Sequence, residues 1–185
     1  FPVTDNFNKF IKKKKRINNK IKSIVVFIGG SNYIKKYLHL ANILKKTKYD
    51  VTFLIGLENS NVILEKIKKV SRKFKVKINS NNIPKIIFRS DLVISGGGYT
   101  KIEAAYLKTP LLCISIHKHQ NQLIDDFYFA FQINKKFVIK ENKISLIKGI
   151  KYLDYKNRRK ISNKFSKKFK ENGVLKILKI INEKL

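Results

Sequence analysis

Between Ser23 and Ile139, short and nearly unbroken apolar runs alternate with longer stretches in which apolar residues return every three or four positions. The first kind reads as β-strands buried on both faces and the second as amphipathic helices. Strands are expected at Ile24–Ile28, Val51–Ile55, Phe74–Ile78, Leu92–Ser95, Leu111–Ile116 and Phe137–Ile139. Helices are expected at Tyr33–Lys45, Val62–Lys73, Pro84–Arg89, Lys101–Leu107, Gln120–Gln132 and Ile144–Tyr152. Two more, Asn157–Lys170 and Val174–Lys184, follow, with Gly173 as the break between them.

Strict alternation of strand and helix implies right-handed βαβ units and a parallel sheet covered on both faces. The expected fold is a Rossmann-like, doubly wound α/β sheet of about six strands, with no internal repeat of fixed period. In such a sheet, ligands sit beyond the carboxyl ends of the strands, near the point where strand order reverses. The search for chemistry therefore narrows to the strand-end loops. Residues 1–22 are polar, basic and weakly periodic, and read as a basic linker with a short helix after it; residues 23–185 form the domain proper.

A chain of 185 residues with 43% hydrophobic positions is one domain with a real core. No apolar run reaches the roughly 18 residues a membrane span needs, and no signal peptide opens the chain, so a soluble, cytoplasmic protein is expected. The chain holds no methionine, and Phe1 is therefore not expected to be a natural start. The single cysteine, Cys113, lies in an apolar run and reads as a buried thiol. One cysteine and three histidines offer no zinc-ligand spacing, so neither a metal nor another cofactor is expected.

The formal charge of +30 raises the question of nucleic acid, since clustered lysines release counterions from phosphate backbones. The excess is dispersed, however, and accompanies abundant isoleucine and asparagine, as AT-rich coding would produce whatever the function. Only Lys12–Arg16 is a compact basic block, which reads as a solvated linker. Specific nucleic-acid recognition is not expected, although a non-catalytic basic module binding nucleic acid or an acidic surface is the competing reading. Anionic substrates or the surface of a membrane suit the same field.

Five of the eight glycines fall in two clusters, Gly29-Gly30 and Gly96-Gly97-Gly98, each directly after an expected strand and before a helix. Glycine there lets the backbone turn sharply and approach a ligand, and the N–H groups of the next helix favour an anion such as a diphosphate. Tight strand-to-helix turns with no ligand are the plainer alternative. Neither cluster matches G-x-G-x-x-G or the P-loop, which disfavours dinucleotide oxidoreductases and P-loop ATPases. Thr100 and Glu103 have capping-box spacing, so Glu103 either completes a cap or offers its carboxylate to a ribose. His117-Lys118-His119-Gln120-Asn121-Gln122 follows the fifth strand and opens a helix; it is either a polar helix start or a set of donors and acceptors for sugar hydroxyls, with Lys118 available to a phosphate. His117 and His119 could also serve as an acid/base pair, though the sequence fixes no carboxylate partner.

Three segments together carry a resemblance. Phe27-Ile-Gly-Gly-Ser-Asn32, then Ser90-Asp-Leu-Val-Ile-Ser-Gly-Gly-Gly-Tyr-Thr-Lys-Ile-Glu-Ala-Ala-Tyr-Leu107 with Thr109-Pro-Leu111, then His119-Gln120, resemble the C-terminal domain of family-28-type glycosyltransferases, one lobe of a GT-B fold. Spore-coat polysaccharide biosynthesis proteins and the UDP-sugar hydrolases of the pseudaminic acid pathway look most similar. The peptidoglycan lipid II N-acetylglucosaminyltransferase looks more distant. The resemblance implies a UDP-sugar substrate, with Gly29, Gly30 and Ser31 beside the phosphates and Gly96, Gly97, Gly98 and Thr100 holding the diphosphate. It further implies Glu103 on the ribose, Ile83 bordering the uracil, and His119, Gln120 and Asn121 toward the sugar.

Two departures accompany the likeness. The hydrolase-like proteins would carry an acidic residue near Lys118, so the sugar stays open. The glycine-rich, histidine-bearing N-terminal lobe that supplies acid/base chemistry and the acceptor site has no counterpart among these residues. No catalytic residue is therefore assigned; catalysis is expected to need that lobe, on the same polypeptide or a separate one.

Overall fold

The structure is a computed structural model that describes residues 4–29, 33–57, 60–133, 138–139, 143–169 and 173–183. All six expected strands form: β1 Ser23–Phe27, β2 Asp50–Ile55, β3 Lys75–Ile78, β4 Leu92–Gly96, β5 Leu111–Ile114 and β6 Val138–Ile139. They make one parallel sheet in the order β3-β2-β1-β4-β5-β6. Burial follows position in that order. Every residue of the central strands β4 and β5 is buried, whereas the edge strand β3, Lys-Val-Lys-Ile, alternates exposed lysines with half-buried apolar residues.

The chain leaves β1 in one direction through β2 and β3, then crosses back to β4, β5 and β6, so the reversal of strand order lies between β1 and β4. Right-handed crossovers then put α2 Ile34–Leu44 and α3 Ser60–Val70 on one face, where they pack together. They put α4 Ile83–Arg89, α5 Thr100–Tyr106 and α6 Gln120–Ala130 on the other. After β6 come α7 Lys143–Tyr152, α8 Tyr155–Lys168 and α9 Gly173–Asn182. Asp154 caps α8 by accepting the Asn157 N–H at 2.7 Å. Phe127 of α6 and Phe131 at its C-cap meet Phe165 of α8, and Phe169 stacks on Phe131 at 5.5 Å, which seats α8 on this face. Phe137, Lys170 and Lys184, expected in elements, lie outside the described residues.

The N-terminal segment differs from expectation, because it is built into the domain instead of linking to it. A helix comes first, α1 Asp5–Ile11, and it packs on α4 and α5 with Phe7 buried and Phe10 against Phe88 at 5.0 Å. Asn8 accepts the Tyr106 hydroxyl at 2.8 Å. The stretch behind α1 is then fastened beneath the sheet. The Lys15 ammonium donates to the carbonyls of Phe88 and Ser90, and burial lowers its pKa to about 8 against the opposing pull of Asp91. Asp91, itself buried, accepts from Asn18 Nδ2 at 2.7 Å, from the Lys22 and Ser23 N–H groups at 2.9 Å each, and from Ser23 Oγ at 3.0 Å. Buried Arg158 of α8 adds bonds to the carbonyls of Leu153, Asn18 and Asn19. The effect is to lock residues 12–22 to β1, β4 and α8 at the end of the sheet opposite the strand-end loops.

Candidate functional site

The carboxyl ends of β1 and β4 meet at the reversal of strand order, and both glycine clusters emerge there. Gly29 has φ +127, a conformation only glycine holds without strain, and Tyr33 lies close above it. Its carbonyl and that of Leu54 accept from the buried Tyr37 hydroxyl, at 3.1 and 2.9 Å. Burial raises the pKa of that phenol, which keeps it a donor. Gly29→Ala is expected to cost about 1–3 kcal/mol from the backbone conformation alone. Thermal melting checks this, and an unchanged Tm would show that the loop relaxes freely.

Gly96 is required by proximity: a Cβ there would stand 2.7 Å from the Ile28 carbonyl oxygen. At Gly97 a Cβ would stand 2.7 Å from the Gln120 Cβ. Gln120 is buried, and its Oε1 accepts from both the Gly97 N–H at 3.0 Å and the Ile116 N–H at 3.1 Å. Two N–H donors fix which end of the amide faces them. Gln120 thus ties the β4 loop to the end of β5, and of its polar atoms only Nε2 remains for a ligand. At Gly98 nothing lies within 4 Å of the Cβ position, so this part of the loop is open.

Lys101 shapes the loop from below. Its ammonium, buried and 5.9 Å over the Phe127 ring, donates to the carbonyls of Gly97 and Gly98. Burial lowers its pKa. With these carbonyls held inward, the Ile102 N–H turns back to the Tyr99 carbonyl at 2.8 Å, and the N–H groups of Thr100 and Lys101 ahead of it have no partner within the helix. A cavity of about 470 Å³ opens beside this turn, with apolar walls from Ile102, Leu123, Phe127 and Phe131.

Of the two readings open for Glu103, the capping box with Thr100 does not form. Tyr99 occupies the N-cap position, makes no side-chain cap bond, and its carbonyl receives the Glu103 N–H, while Thr100 is already inside the first turn and buried. The chain enters α5 with Tyr99 in helical geometry, one residue earlier than the spacing suggested. The Glu103 carboxyl is left half-buried, and no side-chain donor among the described residues reaches it. Burial raises its pKa.

From the third segment, His117, His119 and Asn121 are exposed at the end of β5. His117 Nε2 lies 3.3 Å from the Tyr33 hydroxyl, and the two histidine rings stack at 5.5 Å. Tyr33 therefore bridges the first and third loops. Neither it nor Lys101 stands out in the sequence, although each lies three residues beyond a glycine cluster. Ile83 opens α4, half-buried against the core, beside a smaller cavity of about 200 Å³ lined by Asn6, Asn81 and Asn82. Gly30 and Ser31 lie outside the described residues. No cluster of histidine, cysteine and acidic side chains with metal-binding geometry exists among the described residues.

No family model matches the chain. An uncharacterized protein of Methanocaldococcus jannaschii is 27% identical over 133 residues, covering 65% of this chain and 27% of that protein. Among solved structures, MurG of Acinetobacter baumannii aligns at a TM-score of 0.65 with 11% identity, over 92% of this chain and 55% of its own. A mutant O-GlcNAc transferase of Thermobaculum terrenum aligns at 0.59 with 9% identity, over 83% of this chain and 32% of its own. UDP-GlcNAc 2-epimerase from Neisseria meningitidis, bound to UDP-GlcNAc, aligns at 0.58 with 14% identity, over 90% of this chain and 45% of its own. These likenesses show the fold alone: a Rossmann-like α/β unit of the kind those proteins contain. The chain spans little more than half of the longest-matched of these proteins and about a quarter of the archaeal one.

Proposed function

We propose that this chain binds a UDP-sugar and forms the nucleotide-binding lobe of a GT-B-type glycosyltransferase or UDP-sugar hydrolase in surface-glycan or polysaccharide biosynthesis. One observation carries the reading: at the reversal of strand order, an open glycine turn and the first turn of α5 stand next to a half-buried carboxylate that no side-chain donor among the described residues reaches. Backbone N–H groups suit a diphosphate, and a carboxylate suits the two hydroxyls of a ribose. The three-segment resemblance to family-28-type enzymes supports the same assignment, as does the UDP-GlcNAc bound to the meningococcal neighbour.

The reaction would occur in a cleft completed by a second lobe. Water or an acceptor hydroxyl attacks the anomeric carbon and gives its proton to a base on that second lobe, the bond from the carbon to the β-phosphate oxygen breaks, and UDP leaves with the charge it gains. The N–H groups of Gly98 and α5 would take up that charge. His119, Asn121 and the Nε2 of Gln120 would face the sugar, and Ile83 the uracil.

Glu103→Gln is the direct test. Glutamine loses the charge-assisted bond to ribose, worth about 1.5–3 kcal/mol, so UDP affinity should fall roughly 10- to 150-fold. Stability should move the other way. A carboxyl whose pKa is raised by folding stabilises the fold below its ordinary titration range and loses that contribution as pH rises through the raised value. At neutral pH, Glu103→Gln should therefore leave Tm unchanged or higher. Calorimetry with UDP, UMP and NADH, paired with thermal melts, reads both quantities. Unchanged UDP affinity in the variant, or NADH binding as well as UDP, overturns the assignment.

A further inference from the structure

Helix α8 has one face in the core and the other covered with positive charge. Arg158, Ile161, Ser162 and Phe165 are buried, while Lys156, Arg159, Lys160, Lys167 and Lys168 are exposed along the outer side; Lys164, half-buried, donates to the Gln132 carbonyl at 2.6 Å. The helix contains no acidic residue. The next helix, α9, has the opposite character. Val174, Ile177, Leu178 and Ile181 recur at one-face spacing and are 39%, 49%, 49% and 47% exposed, with Ile180 at 47% on their flank.

We propose that α8 and α9 form an anchor that holds this lobe against an anionic phospholipid surface. An apolar stripe of this size has no use for the phosphates of a nucleic acid. A lysine-covered face has no use for an ordinary apolar protein groove. Neighbouring in sequence, the two match a bilayer interface, where anionic headgroups lie above hydrocarbon. The ten residues of α9 measure about 15 Å, half the roughly 30 Å of a hydrocarbon core, so the helix lies along the surface. No helix among the described residues is long and apolar enough to cross a membrane. The net charge of +30 draws the whole chain toward such a surface from a distance. Two weak signals, charge and apolar insertion, combine into stable attachment where either alone is marginal.

The chain contains no tryptophan, so Leu178→Trp places a single reporter on α9. With the full chain, vesicles of phosphatidylcholine containing about 30% phosphatidylglycerol should bind in flotation and shift the tryptophan emission to the blue, whereas phosphatidylcholine alone should do neither. Ile177→Ser/Leu178→Ser/Ile181→Ser, and separately Arg159→Glu/Lys160→Glu/Lys167→Glu, should each lower partitioning about tenfold or more while Tm stays close to that of the parent. The idea fails if the emission does not shift, or if the triple serine variant floats like the parent. It also fails if a 20-base-pair DNA duplex produces the same blue shift, or if α9 is found to close a dimer that the serine substitutions dissolve.

Discussion

Asp91→Ala is expected to cost about 3–5 kcal/mol of folding stability, because it removes a buried charge and strands the groups that face it. The carboxylate accepts from the Asn18 amide, the N–H groups of Lys22 and Ser23, and the Ser23 hydroxyl. Alanine leaves these donors under the sheet, together with the charges of Lys15 and Arg158, both of which feel Asp91. For a chain of this length the loss corresponds to a fall in Tm of roughly 6–20 °C. The pH dependence has a definite sign. Burial pushes the carboxyl upward, but hydrogen bonds from Ser23, Lys22 and Asn18 outweigh it and hold the pKa below its ordinary 3.8. A carboxyl depressed by folding contributes stability above its unfolded pKa and loses it as pH falls through the folded value. The parent should thus lose stability below about pH 4 more steeply than Asp91→Ala does. Denaturant titration at pH 7 and pH 3 reads both effects, and a cost under about 1 kcal/mol at pH 7 would show that the knot carries little.

How much of this could be read from the sequence depended on the range of each interaction. The strands were legible because their apolar runs state burial directly, and the glycine clusters because strand-to-helix turns are punctuated locally. Residues 1–22 read as a linker because the partners of that segment, Phe88, Ser90, Asp91, Tyr106 and Arg158, lie far along the chain. No local pattern pairs Asn8 with Tyr106. Thr100 and Glu103 failed in the opposite way: their spacing was right for a cap, but the close approach of Gly96 to Ile28 and of Gly97 to Gln120 sets the path of the chain into α5, and Tyr99 takes the cap position. Tertiary geometry overrode a local rule and left the carboxylate of Glu103 free of the cap.

The basic excess likewise has more structure than composition suggested. With 12 acidic residues against 42 basic ones, many lysines cannot find a carboxylate. Several find backbone carbonyls instead: Lys68 reaches Phe74 at 2.6 Å, Lys108 reaches Ile11 at 2.5 Å, and Lys101 braces the glycine loop. These lysines close loops and helix ends. The outer face of α8 is different, since most of its basic side chains point to solvent, and that distinction separates the charge that builds the fold from the charge available to a partner.

Gln120 is where fold and site are the same object, and two substitutions separate its roles. Gln120→Ala orphans two buried N–H groups, Gly97 and Ile116, at about 1–3 kcal/mol each, so a loss of roughly 2–6 kcal/mol is expected. The β4 loop, released from the end of β5, should also lose its fixed geometry, and UDP affinity should drop with stability. Gln120→Glu keeps an acceptor oxygen for both N–H groups but exchanges the Nε2 donor for a carboxylate oxygen and adds a negative charge, so it should fold nearer to the parent than alanine does while repelling the diphosphate of UDP. If Nε2 meets the sugar, the glutamate variant should still discriminate against the UDP-sugar, because a hydroxyl acceptor would face a carboxylate in place of an amide donor. Thermal melts with UDP and UDP-GlcNAc titrations for parent, Gln120→Ala and Gln120→Glu read all three. If alanine and glutamate weaken UDP binding equally while both fold like the parent, Gln120 does not brace the loop and acts on the ligand alone.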